Sequence, residues 1–323
     1  MESVKKTLLH FIKENGLNIV SDGDWDGIVG SAILVKWCRK LGMNKYSIDL
    51  PHPRKVPLLT LSGNIVIELS PSRGYKVESR CILFDHHNFN GVAFLEKDNK
   101  IVPIIEYKED IGSIAELIYH VLEIHDEKLE KLINIINYID QGKSKEIKEA
   151  WRYHKAYLAN IDSQGFRLKI FKLIIDEKYE ELETIIQEAA KIYDKAQEYV
   201  EKIVARSTII DDRIAVSWYN VDVKFEKIAF REAMFKLEEK YDLVIIAAKR
   251  SDNTIERLHL GSYKLDVGKI IEQTLNILKK EGVKGGGKRT AGGIQFPILT
   301  IRFDDLDKLI NMFDQELNKL DTE

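Results

Sequence analysis

Residues 17–42 read LNIVSDGDWDGIVGSAILVKWCRKLG, and the fold is decided by how this stretch is parsed. Leu17 to Val20 is a short apolar run of the kind that forms a buried strand. It ends in Ser21-Asp22-Gly23-Asp24-Trp25-Asp26-Gly27, and the segment beyond carries apolar residues at helical spacing. Strand, acidic turn and helix in that order open a βαβ unit and predict a parallel sheet. Two further apolar runs, Asn64 to Leu69 and Arg80 to Phe84, have the same character. The first contains Glu68 and the second leads into Asp85-His86-His87. Ligands in open parallel sheets collect at the carboxyl ends of strands, so these three ends predict one crevice.

Outward from that core, helical periodicity marks Ser113 to Ile124 and Glu127 to Ile139, then a highly charged region from about Ser144 to Arg206. Within it, EKYEELETIIQEAAKIYDKAQEYVEKIVARS (177–207) reads as one long amphipathic helix with a solvated charged face. A second α/β pattern begins near Thr208, with strands expected at Arg213 to Trp218, Leu243 to Lys249 and Arg257 to Leu260, and a helix from about Val267 to Lys280. The chain then runs GVKGGGKRTAGGIQFPILTIRF (282–303), expected to be a glycine-rich loop feeding a final strand. The fold class is therefore α/β: an N-terminal domain (1–165) with a mainly parallel sheet and flanking helices, a helical connector (166–206), and a smaller C-terminal α/β domain (207–323) with a mixed sheet.

Composition supports two ordered domains. The chain has 323 residues, 44% hydrophobic and 31% charged, with only 6 Pro, which leaves ample apolar material for a core. A formal net charge of −3 excludes a polycation built to coat nucleic acid, so any such contact comes from a local patch. Cys38 and Cys81 sit in apolar runs without CxxC spacing and read as reduced core residues, which suits a cytoplasmic protein. The first 16 residues lack the apolar core of a signal peptide, and no stretch approaches the roughly 20 apolar residues that span a bilayer.

The acidic turn carries the chemistry. Three carboxylates two residues apart, directly after a buried strand, repel one another unless a cation neutralises them. An exposed turn or a helix N-cap accounts for one Asp and leaves two unexplained. Lone histidines are usually structural, but adjacent histidines beside Asp85 at a strand end form a plausible ligand set.

Together, SDGDWDG and FDHHN resemble the first and third motifs of the DHH phosphoesterase superfamily, and the triple-Asp form is more similar to RecJ exonucleases than to oligoribonuclease-like members. The resemblance implies two Mn2+ ions, with Mg2+ as a substitute, that activate water against a phosphodiester. It makes Asp24, Asp26, Asp85 and His86 metal ligands and places Asp22 behind them. His87 would face the scissile phosphate or orient a ligand, so His86, His87 and Asp22 form the expected catalytic set. Asp140, in INYIDQG, resembles the later aspartate that completes the site, although alone it could end a surface helix. Gly285-Gly286-Gly287-Lys288-Arg289-Thr290-Ala291-Gly292-Gly293 resembles the GGGHxxAAG signature of the DHH-associated domain, where Gly286, Gly287, Lys288, Arg289 and Thr290 would hold a neighbouring phosphate. Trp25 is a candidate for stacking on a base, though such a residue is more often part of a core or wall.

Two departures bear on activity. Glu68, expected as a further metal ligand, stands where the family ends its second strand with Asp; Glu can ligate the same metals, but its extra methylene displaces the carboxylate beyond the tolerance of a tight dinuclear site, which would reduce or abolish activity. Lys288 replaces the usual His and offers a phosphate a point charge without an imidazole's proton chemistry. The resemblance covers both ends of the chain, which looks like a catalytic core without the extra C-terminal domain of large RecJ proteins. Three functions follow. The favoured one is a Mn-dependent exonuclease on single-stranded DNA or RNA. The alternative is a weakened RecJ-derived replication scaffold that pairs with GINS and the MCM helicase. The third is a phosphodiesterase for cyclic dinucleotides or oligoribonucleotides, which the low positive charge accommodates.

Overall fold

The structure is a computed structural model that describes residues 2–52, 55–87, 89–108, 111–278, 283–287 and 289–296. The chain divides into two compact units, Met1–Lys191 and Ile192–Glu323.

In the first unit, helix α1 (Glu2–Asn15) precedes strand β1 (Asn18–Ser21), helix α2 (Trp25–Lys40) and strand β2 (Ser47–Asp49). Strands β3 (Thr60–Leu61) and β5 (Lys76–Val77) pair in a small separate ladder that brackets β4 (Ile65–Ile67) in sequence. Then come β6 (Cys81–Asp85), β7 (Gly91–Glu96) and β8 (Lys100–Glu106), followed by helices α3 (Ile114–Val121), α4 (Glu127–Asp140), α5 (Lys148–Leu158), α6 (Gln164–Ile175) and the long α7 (Tyr179–Ala205), inside which the division between units falls. The main sheet runs β2-β1-β4-β6-β7-β8. Its first four strands are parallel, and β7 and β8 continue it antiparallel.

Residues alternate between the two faces of these strands, as the pleat requires. Ile19, Ile65, Ile67, Ile82 and Phe84 face the large core that α2 shares with the other helices. Val20, Val66, Cys81 and Leu83 face a smaller cluster that includes Tyr75 and Leu95. Because both faces are covered, the parallel strands are continuous apolar runs, which is why they were legible in the sequence. Helix α2 is buried on almost every side, and the charge it carries into the interior is matched: Lys36 Nζ meets Asp126 Oδ2 at 3.2 Å, Glu177 Oε1 at 3.1 Å and the Tyr179 hydroxyl at 3.0 Å.

The second unit contains β9 (Thr208–Ile210), β10 (Ile214–Asn220), α8 (Lys224–Glu238), β11 (Leu243–Lys249), β12 (Ile255–Gly261), α9 (Val267–Leu278), β13 (Lys284–Gly287) and β14 (Ala291–Gln295). Its sheet runs β13-β14-β12-β11-β10-β9, with β10 and β11 parallel and the other pairings antiparallel. One face packs on α9 and the other on α8 with the end of α7.

Here the structure corrects one expectation. The three glycines are not a flexible loop: Gly285, Gly286 and Gly287 form β13 and pair with Ile294, Gly293 and Gly292 of β14. A Cβ on Gly287 would meet the Gly292 Cα at 2.7 Å, so the two strands approach closely because neither carries a side chain there.

Candidate metal centre

Chain direction builds the site. Strand β1 delivers the acidic turn, β4 delivers Glu68, β6 delivers Asp85, and α4 ends on Asp140. Asp24 caps α2, its carboxylate accepting from Gly27 N at 3.0 Å. Gly27 has no room for a side chain, because a Cβ would be driven into the Asp22 carbonyl and the Ser21 hydroxyl. That contact folds the turn tightly under the first turn of the helix.

Asp26 is buried and accepts two backbone hydrogen bonds, from Ile114 N at 2.6 Å and Ala115 N at 2.8 Å. Both donors belong to the first turn of α3, so a helix N-terminus holds the carboxylate in place. Burial nonetheless pushes Asp26 well above the usual carboxylate range, and Asp24 and Asp140 add to the rise. Glu68 is raised well above its ordinary value by burial too, then by Asp24 and Asp26. Asp140 and Asp22 are raised as well, each mainly by desolvation.

His86 is where these groups converge. Its Nε2 lies 3.5 Å from Asp26 Oδ2, 3.6 Å from Asp140 Oδ2 and 4.0 Å from Glu68 Oε1. Asp26, Glu68, His86 and Asp140 each place one ligand-type atom within 4.8 Å of the others, and Glu68, His86 and His87 form an overlapping set. Glu68 reaches the cluster from a left-handed backbone, with φ of 60°. That conformation is disfavoured for a side-chain-bearing residue and costs on the order of 1–3 kcal/mol. It is tied down by Glu68 N donating to Phe84 O at 2.9 Å.

Asp85 is fully buried beside this set. Its Oδ1 accepts from His86 N at 3.0 Å and His87 N at 3.3 Å and meets His87 Nδ1 at 3.0 Å. The bond to Asp85 is the chief cause of the raised His87 pKa. Asp22 lies on the other side of the turn, bonded to Arg73 at 2.8 Å, with Arg167 also lowering its pKa electrostatically.

The donor set fits a divalent cation. Buried Glu68 Oε2, Asp85 Oδ2 and His86 Nε2 have no hydrogen-bond partner among the described residues. Buried acceptors are ordinarily satisfied, and carboxylates crowded at this density call for positive charge.

Other expected site residues fall elsewhere. Trp25 is a correction: it is 2% exposed, its Nε1 donates to Tyr153 O at 2.9 Å, and its ring packs on Tyr153 at 5.1 Å, so it offers no face to a base. Gly286 and Gly287 belong to the second unit as strand residues. Arg289 and Thr290 follow in the exposed turn, where the Arg289 carbonyl accepts from Val267 N and the Thr290 carbonyl from Ser262 N. Lys288 lies outside the described residues. Arg73, Arg167 and the α3 backbone donors were not anticipated. Ser113-x-x-Glu116 marks the start of α3 in the sequence, but nothing local says that its N–H groups hold a carboxylate 88 residues earlier.

No protein-family profile and no curated sequence matches the chain. Solved structures do. RecJ from Thermus thermophilus with Mn2+ matches with a TM-score of 0.61 at 14% identity, over 97% of this chain and 54% of that one, so this chain spans about half the RecJ length. The pGpG-specific phosphodiesterase PggH of Vibrio cholerae matches with a TM-score of 0.55 at 14% identity, over 94% of this chain and 99% of that one. CDC45 from Entamoeba histolytica matches with a TM-score of 0.52 at 10% identity, over 97% and 98%. The chain has the fold of these RecJ-like DHH proteins.

Proposed function

We propose that this chain, with its DHH-type fold, is a divalent-metal phosphodiesterase that hydrolyses single-stranded DNA or RNA, including short oligonucleotides. The observation that carries the reading is the convergence of Asp26, Glu68, His86 and Asp140, with Asp85 buried beside them and three buried ligand atoms unpartnered among the described residues. The RecJ structures containing Mn2+ and Mg2+ and the pGpG specificity of PggH are consistent with it. In this reading Asp26, Glu68, His86 and Asp140 hold the metal, two Mn2+ if the pair is complete, and Asp24 and Asp85 complete the ligand set. A bound divalent ion supplies an acidified water and a counter-charge for the phosphate.

The chain's own groups do the rest. The α3 N–H pair fixes Asp26 so that its carboxylate does not swing away when the site fills. Asp85 orients His87 through Nδ1 and favours its protonated form. His87 is half-exposed, so its Nε2 can hold a proton for the leaving oxygen. Arg73 neutralises Asp22 and limits repulsion of an incoming phosphate.

The test is hydrolysis of a labelled single-stranded oligonucleotide in Mn2+ by the wild type and by Asp85→Asn and His86→Ala. Loss of at least about 100-fold in both variants, with unchanged folding, is expected for ligands of a catalytic metal. No wild-type hydrolysis of DNA, RNA or dinucleotides would overturn the enzyme and favour a scaffold. The fold shared with CDC45 is consistent with that reading, and GINS and the MCM helicase are the partners that the sequence resemblance implies for it.

A further inference from the structure

The first unit holds a cavity of about 240 Å3 that none of the acidic-cluster residues lines. It opens where Asp49 ends β2, and Arg167 reaches from it to the turn after β1. An Arg167 Nη1 lies so close to Gly23 that a Cβ there would sit 2.7 Å from it. The carboxyl ends of neighbouring parallel strands are the usual place for a ligand. The volume would hold about eight waters, the scale of one ring system.

Leu50, Pro51 and Leu59 give the cavity apolar walls, while Asp49, Gln164 and Arg167 give it polar groups. Arg167 is 5% exposed, donates through Nη2 to the Ile161 carbonyl, and keeps a buried Nε with no partner among the described residues. A buried donor left unmatched is destabilising, and a ligand acceptor can relieve it. Charge narrows the ligand. Arg167 and Lys55 share the lining with Asp49 and Asp162, and His52 adds a further ring nitrogen pair, so a phosphate would meet two carboxylates, whereas a neutral base would find both donors and acceptors.

We propose that this cavity is a guanine subsite. Guanine alone among the common bases presents adjacent N1–H and N2–H donors, which suit the Asp49 carboxylate, together with O6 and N7 acceptors, which suit Arg167 and Gln164. Adenine would turn the N1 lone pair toward the carboxylate. The assignment rests on the phosphodiesterase reading, in which the subsite holds a base of the strand whose phosphodiester lies at the acidic cluster.

Calorimetric titration of the full chain with GMP and AMP tests it, since neither ligand contains an internucleotide bond to cleave. GMP binds at least about tenfold tighter than AMP, and Asp49→Asn and Gln164→Ala each erode that preference by about tenfold while thermal melting is unchanged. Both positions are exposed, so the variants fold. Equal affinities, no measurable binding of either nucleotide, or a preference that survives both substitutions overturns the subsite. Absent oligonucleotide hydrolysis with GMP selectivity intact overturns the phosphodiesterase reading and leaves the subsite standing.

Discussion

At Asp26 and Glu68, burial first and neighbouring carboxylates second raise the carboxyl pKa well above the ordinary range, so each holds its proton to higher pH than an exposed carboxylate does. A metal ion must displace those protons, so its affinity depends on pH. Because the pKa values are raised, protonation competes at higher pH than for an exposed carboxylate. Mn2+ affinity therefore falls as pH is lowered, and the fall begins at higher pH than for a site of exposed carboxylates; calorimetric titration across a pH series measures it. A pH-independent affinity would mean the metal sits elsewhere. Trp25 is governed by packing instead. Trp25→Phe removes the bond to Tyr153 O and some buried area, costing about 1–2 kcal/mol in urea denaturation with nucleotide affinity unchanged.

Helix and strand ends show how close packing sets the geometry of both units. Gly27 lets α2 begin directly beneath the acidic turn, so Gly27→Ala forces the turn outward. The expected cost is about 1–3 kcal/mol of stability, together with a loss of Mn2+ affinity measurable by calorimetry. At the end of α8, Glu238 is packed against Gly261 and Met234, and burial lifts its pKa from 4.5 to about 7, with a Tyr263 hydrogen bond opposing the rise. A pKa raised in the folded state means that the native protein holds this proton more tightly than the unfolded chain. The contribution is full below about 4.5 and is lost as pH rises through about 7. Unfolding of the second unit, followed by Trp218 fluorescence at several pH values, shows stability declining across that window in the wild type. Glu238→Gln removes that part of the slope.

Across the whole molecule, the two compact units differ in what a metal does to them. The acidic cluster lies entirely within 1–191. Mn2+ at about 100 times its dissociation constant adds about 2.7 kcal/mol to the state that binds it. Thermal unfolding with and without Mn2+ therefore shows a metal-dependent rise in the transition of the first unit, and Asp85→Asn abolishes it. The fold class and the main ligand candidates were legible because their signals are local: an apolar run on a doubly covered strand, an acidic turn directly after it, and a histidine pair beside an aspartate. Antiparallel β7 and β8, the β13–β14 hairpin and the burial of Trp25 were not, because long-range pairing and packing decide them. In GGG, the sequence shows only a permissive backbone, and pairing with β14 turns it into a strand. The sequence by itself determined an α/β chain with carboxylates and histidines at its strand ends. Only the tertiary structure decided that His86 meets Asp26, Glu68 and Asp140, and that α3 donates its first N–H groups to Asp26. Those contacts join residues far apart in the chain, and no local propensity encodes them.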